Sequence, residues 1–103
     1  MKISLLKILM GRQLPPWEID SFEQGERVEC PTNFDEVTIV DYSIRNGKYI
    51  REMVSESPSR YLVDTRVYNE EGLLESLEKV EKNKNRIKIL YEPPGSLFGK
   101  KVI

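Results

Sequence analysis

The sequence contains no histidine among its 103 residues. This absence excludes Ser-His-Asp and Cys-His nucleophile systems, imidazole general bases and metal sites with histidine ligands. Any catalysis would depend on carboxylates, lysine, tyrosine, serine or a bound cation. We expect a binding protein, keep an enzyme as the alternative, and assign no catalytic residue.

Cysteine is almost absent, since Cys30 is the single one. One cysteine cannot form an internal disulfide, and it cannot supply the several thiolates of a zinc or iron-sulfur site. A free thiol is compatible with a reducing compartment, so we expect the protein to be cytoplasmic.

Long hydrophobic runs are also missing. No apolar stretch reaches the roughly 18 residues that a membrane-spanning helix needs. Met1–Met10 is largely apolar, but Lys7 interrupts it and no small-residue cleavage site follows. We interpret this stretch as a buried strand rather than a signal peptide, and we expect no membrane association.

Charge is spread unevenly along the chain, although its net charge is only -1. Gln13–Ile44 holds eight acids against one arginine, a net charge of -7, and the parts on either side are each net positive. The sequence pI of about 5.6 argues against a general nucleic-acid coat protein. We expect one domain over residues 1–103, with residues 13–36 as an irregular acidic segment interrupted by prolines and a glycine.

The remainder of the chain predicts three strands and one helix. Val37–Tyr42, Arg60–Tyr68 and Arg86–Glu92 are rich in β-branched and aromatic residues, which is typical of strands. Asn69–Asn83 has leucines at helical spacing and acids in its first turn, which predicts an amphipathic helix. Leu97–Ile103 is expected to be a short edge strand or a tail.

The segment Arg45–Glu56 has two interpretations. Asn46-Gly47 is a strong hairpin signal, but a two-residue turn there sets Asp41 opposite Glu52, and like charges in register are destabilising. The apolar residues of the segment also recur every three to four positions, so we favour a helix.

With that helix, the elements from Val37 onward alternate between strand and helix, and right-handed crossovers make the sheet parallel. The predicted fold class is α/β, a small two- or three-layer domain with a three- to five-stranded, partly parallel sheet. The alternative, without the helix, is an α+β fold in which an antiparallel meander carries one helix.

Three acids end the predicted strands. Asp41, Asp64 and Glu92 would meet at the carboxyl edge of a parallel sheet, where ligands bind in such folds. Carboxylate oxygens are the ligands that Mg²⁺ prefers. These residues therefore form a candidate metal site. We expect no cofactor, and a bound Mg²⁺ is the alternative.

The order of elements over residues 37–103 resembles the Toprim domain of primases, topoisomerases and small nucleases. Asp41-Tyr42 stands where that family has Glu-Gly, and Glu92-Pro93-Pro94 stands where it has Asp-x-Asp. The resemblance implies a Mg²⁺-dependent phosphoryl-transfer or nuclease-like domain acting on nucleic acid. Because the second acid of the Asp-x-Asp motif is missing, it implies a degenerate site.

Large apolar side chains alternate with acids around the sole tryptophan. Proline stiffens the backbone ahead of this stretch, so the aromatic rings could dock into a partner while the acids meet a basic rim. For the tryptophan itself we favour the other interpretation, in which it fills the core, because large aromatic residues are usually buried. The candidate partner-binding residues are Trp17, Glu18, Asp20, Phe22 and Glu23.

Basic residues of the second half could contact phosphate, with a nearby tyrosine stacking on a base. The candidates are Arg45, Lys48, Arg51 and Lys100. Our leading expectation remains a small cytoplasmic interaction module that binds a basic protein partner, which could be a second copy of the chain. A nucleic-acid partner is the alternative.

Overall fold

The fold is a single antiparallel sheet with short helices before it. The computed structural model describes residues 3–31, 35–82, 84 and 86–102. Its seven strands follow the chain order, so each strand pairs with the next one in sequence. The elements are α1 (Leu5–Leu9), a 3-10 turn (Pro16–Glu18), α2 (Ile19–Glu23), β1 (Arg27–Pro31), β2 (Val37–Arg45), β3 (Lys48–Ser57), β4 (Arg60–Tyr68), β5 (Leu74–Glu81), β6 (Ile87–Leu90) and β7 (Lys100–Lys101).

The predicted partly parallel α/β fold is wrong, because every strand pair is antiparallel. Residues 45–56 form a hairpin, not a helix, and Asn46 and Gly47 both have the positive φ that its tight turn requires. Asp41 does lie opposite Glu52. The side chain of Arg27 on β1 binds Asp41 from its other side, which offsets the repulsion.

The predicted helix over residues 69–83 is also wrong. The Asn69 side chain accepts hydrogen bonds from the backbone of Glu71 and Leu73 in a turn, and β5 follows. The register between β4 and β5 shifts by one residue, which leaves Glu75 as the extra residue of a bulge. The bulge sets Leu74 and Leu77 on the same face of the sheet despite their three-residue spacing. A helix-like pattern of leucines therefore arises within a strand.

Residues 3–10 of the expected N-terminal strand contain a helix instead. Ser4 caps α1 by accepting a hydrogen bond from the backbone N–H of Lys7. No residue of α1 is buried, and Leu5 and Leu9 are 73% and 84% exposed. The apolar residues of this stretch therefore do not enter the core. Residues 1–2, like residues 32–34 of the acidic segment, lie outside the described residues.

The sheet has two unlike faces, set by the alternation of side chains along each strand. The covered face carries the buried core, whose members are Leu14, Phe22, Tyr68, Leu74, Leu77 and Tyr91. The outer face carries a cross-strand row of half-buried or partly exposed apolar residues, Ile39, Val54, Val63 and Val80. All the strand residues that are fully buried belong to the covered face. One core and one sheet make a small compact single domain.

Among the described residues, no helix has the length and apolar character needed to cross a bilayer.

Candidate protein-docking surface

The tryptophan of the acidic segment lies at the surface. Pro15 is extended and Pro16 begins the 3-10 turn that leads into α2, so the chain enters this short helical segment in a fixed direction. Trp17 follows and is 75% exposed. The expectation that the tryptophan fills the core, which follows from the high average burial of this residue type, is therefore wrong.

The segment that carries Trp17 is anchored on both sides. Leu14 is buried, and its backbone N–H donates to the carbonyl of Gly72 at 2.8 Å. Phe22 is 1% exposed and makes edge-to-face ring contacts with Tyr42 at 4.9 Å between centroids and with Tyr49 at 5.4 Å. Such contacts add to the free energy gained by burying the ring. The segment that carries Trp17 is therefore fixed against the sheet.

An ion pair adds a third attachment. A guanidinium nitrogen of Arg51 lies 3.3 Å from a carboxylate oxygen of Glu18, and the same side chain donates to the Tyr68 hydroxyl at 3.2 Å. Burial of the ring, together with the carboxylate of Glu18, raises the pKa of Tyr42 above its ordinary value, and Arg51 opposes that shift. Glu18 is thus engaged with the sheet below it.

Several exposed polar side chains lie near Trp17 on the helical segment. Residues three positions apart on a helical segment share a side, so Asp20 lies on the side of Trp17. Asp20 is exposed, as are Glu23 at the end of α2 and Gln24, which caps it. We call Trp17, Asp20, Glu23 and Gln24 the Trp17 surface.

The predicted partner-binding set is therefore divided by the fold. Phe22 belongs to the core and Glu18 faces the sheet, whereas Trp17, Asp20 and Glu23 are exposed. The predicted set did not include Gln24, the exposed residue that caps α2.

The three acids proposed for a metal are not brought together. Asp41 lies on the outer face, where Arg27 donates to both of its oxygens at 2.6 and 3.0 Å. Asp64 lies on the covered face and is buried, with Arg66 at 3.2 Å. Glu92 follows β6 and is exposed. No group of three acidic or cysteine side chains that could hold a metal ion occurs in the described part of the chain.

These ion pairs account for two pKa shifts. The hydrogen bond from Arg27 holds the pKa of Asp41 below its usual value. Burial, the largest single effect, lowers the pKa of Arg66, but the carboxylate of Asp64 and the hydroxyl of Tyr68 together outweigh it, so the pKa of that guanidinium is raised.

The four candidate phosphate contacts do not converge either. Lys48 bonds to Glu75 at 2.9 Å, and Arg51 is held by Glu18 on the covered face. Arg45 pairs with Lys48 in the hairpin register and lies on the outer face. Lys100 is opposite Leu90, so it also lies on the outer face, at the far edge of the sheet.

Comparison of the chain with protein-family models, curated proteins and solved structures finds no match. The functional conclusion therefore depends on the chain's own residues, above all on the Trp17 surface.

Proposed function

We propose that the protein is a small cytoplasmic interaction module that binds a basic protein partner through the Trp17 surface. The observation that carries the proposal is the 75% exposure of Trp17 on a segment whose neighbours are buried and bonded.

Burial of this side chain by a partner would release substantial free energy. A tryptophan buries about 150–250 Å², and at about 25 cal/mol per Å² the exposed part is worth on the order of 3–5 kcal/mol before the costs of association. Tryptophan is also among the residues that dominate binding energy at protein interfaces. Because Leu14 and Phe22 already fix the segment, little further ordering is needed on binding.

The flanking charges indicate the kind of partner. Asp20 and Glu23 are exposed beside Trp17, and neither forms an ion pair with any described residue. A partner with lysine or arginine around an apolar pocket would complement them. Such rim charges mainly speed association and select against acidic partners. The exposed free thiol of Cys30 suits a reducing cytoplasm.

The test compares two exposed aromatic residues. A photo-crosslinking amino acid is introduced at position 17 or at position 98, where Phe98 is 88% exposed. Crosslinking is carried out in the cells that express the protein, and the products are identified by mass spectrometry. We expect a discrete product from position 17 that is lost when Asp20 and Glu23 are changed to lysine.

The matched variants are Trp17→Ala and Phe98→Ala. We expect Trp17→Ala to abolish binding of the partner identified by crosslinking, and Phe98→Ala to retain it, with the circular dichroism of both unchanged. Sedimentation of the isolated protein shows whether that partner is a second copy. Retention of full partner affinity by Trp17→Ala would overturn the proposal.

A further inference from the structure

A basic cleft lies on the covered face, at the end of the sheet away from the helices. It begins near Arg60, at the opposite end of β4 from the core residue Tyr68. The two residues are eight positions apart, or about 26 Å at the rise of an extended strand. The cleft has a volume of about 700 Å³. Its described lining residues are Arg60, Leu62, Lys79, Glu81, Lys84, Arg86, Ile87 and Lys101.

Among the described residues, the lining carries five cations against one carboxylate. Glu81 contacts Arg60 at 3.3 Å and Lys84 at 3.5 Å, so a single acid serves two cations. Lys101 makes no ion pair with any residue that the structure describes. Positive charge is therefore in excess.

The remaining two cations are held loosely from outside the cleft. Lys79 lies 4.0 Å from Asp64, and Arg86 lies 4.0 Å from Glu78. Both distances are longer than a charge-assisted hydrogen bond of about 2.7–2.9 Å. Since the side chains of Lys79 and Arg86 are about half exposed, such pairs contribute little and are readily exchanged for a ligand.

The antiparallel meander is what assembles these cations. They come from β4, β5, β7 and the connection between β5 and β6, and the sequence scatters them from Arg60 to Lys101. Three steps between neighbouring strands span about 14 Å, since strands lie about 4.8 Å apart. The charge thus extends across the cleft instead of gathering at one point, which suits a ligand with several anionic groups.

We propose that the basic cleft binds the phosphate backbone of single-stranded nucleic acid. The two arginines can each offer a planar fork to a phosphate, and the lysines add point charges. Leu62 and Ile87 provide apolar contact for sugar and base edges, which inorganic polyphosphate would leave unused. The volume is that of a pocket for a small ligand, about 300–1,000 Å³, so it admits a few nucleotides rather than the side of a duplex.

The lining also predicts how binding depends on sequence and salt. None of the described lining residues is aromatic, so bases are not stacked and sequence preference is weak. Contacts to phosphate release counterions, so affinity falls steeply with salt concentration. This proposal is independent of the Trp17 surface, which lies at the other end of the covered face.

Neighbouring lysines provide a matched test. Lys101 lines the cleft, and Lys100 precedes it on β7 with its side chain on the outer face. Lys101→Glu and Lys100→Glu change the net charge equally, in the same two-residue strand. Binding of a fluorescent oligothymidylate is measured by anisotropy over a series of salt concentrations. The substitutions on β7 could disturb that short strand, so a second pair repeats the comparison elsewhere. Lys84→Glu changes the cleft, and Lys88→Glu changes the outer face.

We expect the cleft variants to weaken binding about tenfold and to lower the slope of log affinity against log salt by about one. The outer-face variants should stay within about twofold of the native protein, since rim charges away from a site contribute little. Unlabelled single strands should compete better than duplex, inorganic polyphosphate or polyglutamate. Equal weakening by both members of each pair, no measurable binding, or stronger competition by duplex, inorganic polyphosphate or polyglutamate than by single strands would each overturn the proposal.

Discussion

Trp17 and Phe22 lie five residues apart on one helical segment and point in opposite directions. The indole is 75% exposed, whereas the phenyl ring is 1% exposed among tyrosines of the sheet. The same short segment therefore fastens to the sheet through one aromatic residue and presents the other to solvent. Stability and binding should separate cleanly between these two positions.

Phe22→Ala should destabilise the protein strongly, while Trp17→Ala should not. Removing a buried phenylalanine costs about 3–5 kcal/mol through lost burial and the cavity left behind. A substitution at an exposed position usually changes stability by no more than about 0.5 kcal/mol. Urea denaturation followed by circular dichroism measures both. Equal losses at the two positions would contradict the assignment of Phe22 to the core and Trp17 to the surface.

Gly95→Ala should destabilise the connection after β6. Gly95 has a φ of +82°, and an added Cβ would lie 2.9 Å from a methyl carbon of Leu73. Gly25→Ala is the control, because Gly25 also has a positive φ but its Cβ would meet nothing closer than 3.9 Å. We expect a loss of about 1–2 kcal/mol for Gly25→Ala from backbone conformation alone. Gly95→Ala should cost measurably more in the same denaturation experiment, and a smaller loss than that of Gly25→Ala would contradict the close packing on Leu73.

The pair between Arg27 and Asp41 should be visible in the titration of Asp41. Because the folded state holds the pKa of this carboxyl below its unfolded value of about 3.9, the pair stabilises the protein above that pH. The contribution is lost as the pH falls through the folded pKa. Carboxyl NMR should show the pKa of Asp41 rising in Arg27→Ala and staying low in Arg45→Ala. An unchanged pKa of Asp41 in Arg27→Ala would show that Arg27 does not donate hydrogen bonds to this carboxylate.

Tyr42 should limit stability at high pH. Its raised pKa means that the folded state favours the protonated phenol. This contribution is fully present below the unfolded pKa of about 10, and it is lost as the pH rises through the folded pKa. In denaturation experiments at increasing alkaline pH, we expect Tyr42→Phe to lose less stability than the native protein does. Tyr61→Phe, on the outer face, should follow the native protein, and identical curves for all three would contradict this role of Tyr42.

Much of the sheet could be predicted from local sequence. The three predicted strands overlap β2, β4 and β6, because β-branched residues and turn-forming glycines mark them directly. Asn46-Gly47 also identified the hairpin that the structure contains. The sequence nevertheless favours a helix there, because Asp41 and Glu52 repel each other in a hairpin and the apolar residues recur every three to four positions. The compensating Arg27 comes from β1, which pattern analysis of residues 37–56 does not include.

The other differences also depend on the rest of the fold rather than on the local sequence. The bulge at Glu75 gives β5 a helical spacing of leucines, and a bulge in one strand depends on the strand beside it. The exposed apolar helix α1 contradicts the expectation that leucines enter the core. The basic cleft could not be predicted without the sheet order, since Arg60 and Lys101 come to line one cleft only through the meander.

The most direct test of the Trp17 surface is the solvent accessibility of the chain's only tryptophan in complex with the partner identified by crosslinking. Fluorine NMR of the protein labelled with fluorotryptophan gives one signal, and a soluble paramagnetic reagent broadens it in proportion to exposure. We predict strong broadening in the free protein, as the 75% exposure requires, and protection in the complex. A signal broadened equally in the free and bound protein would contradict docking through Trp17.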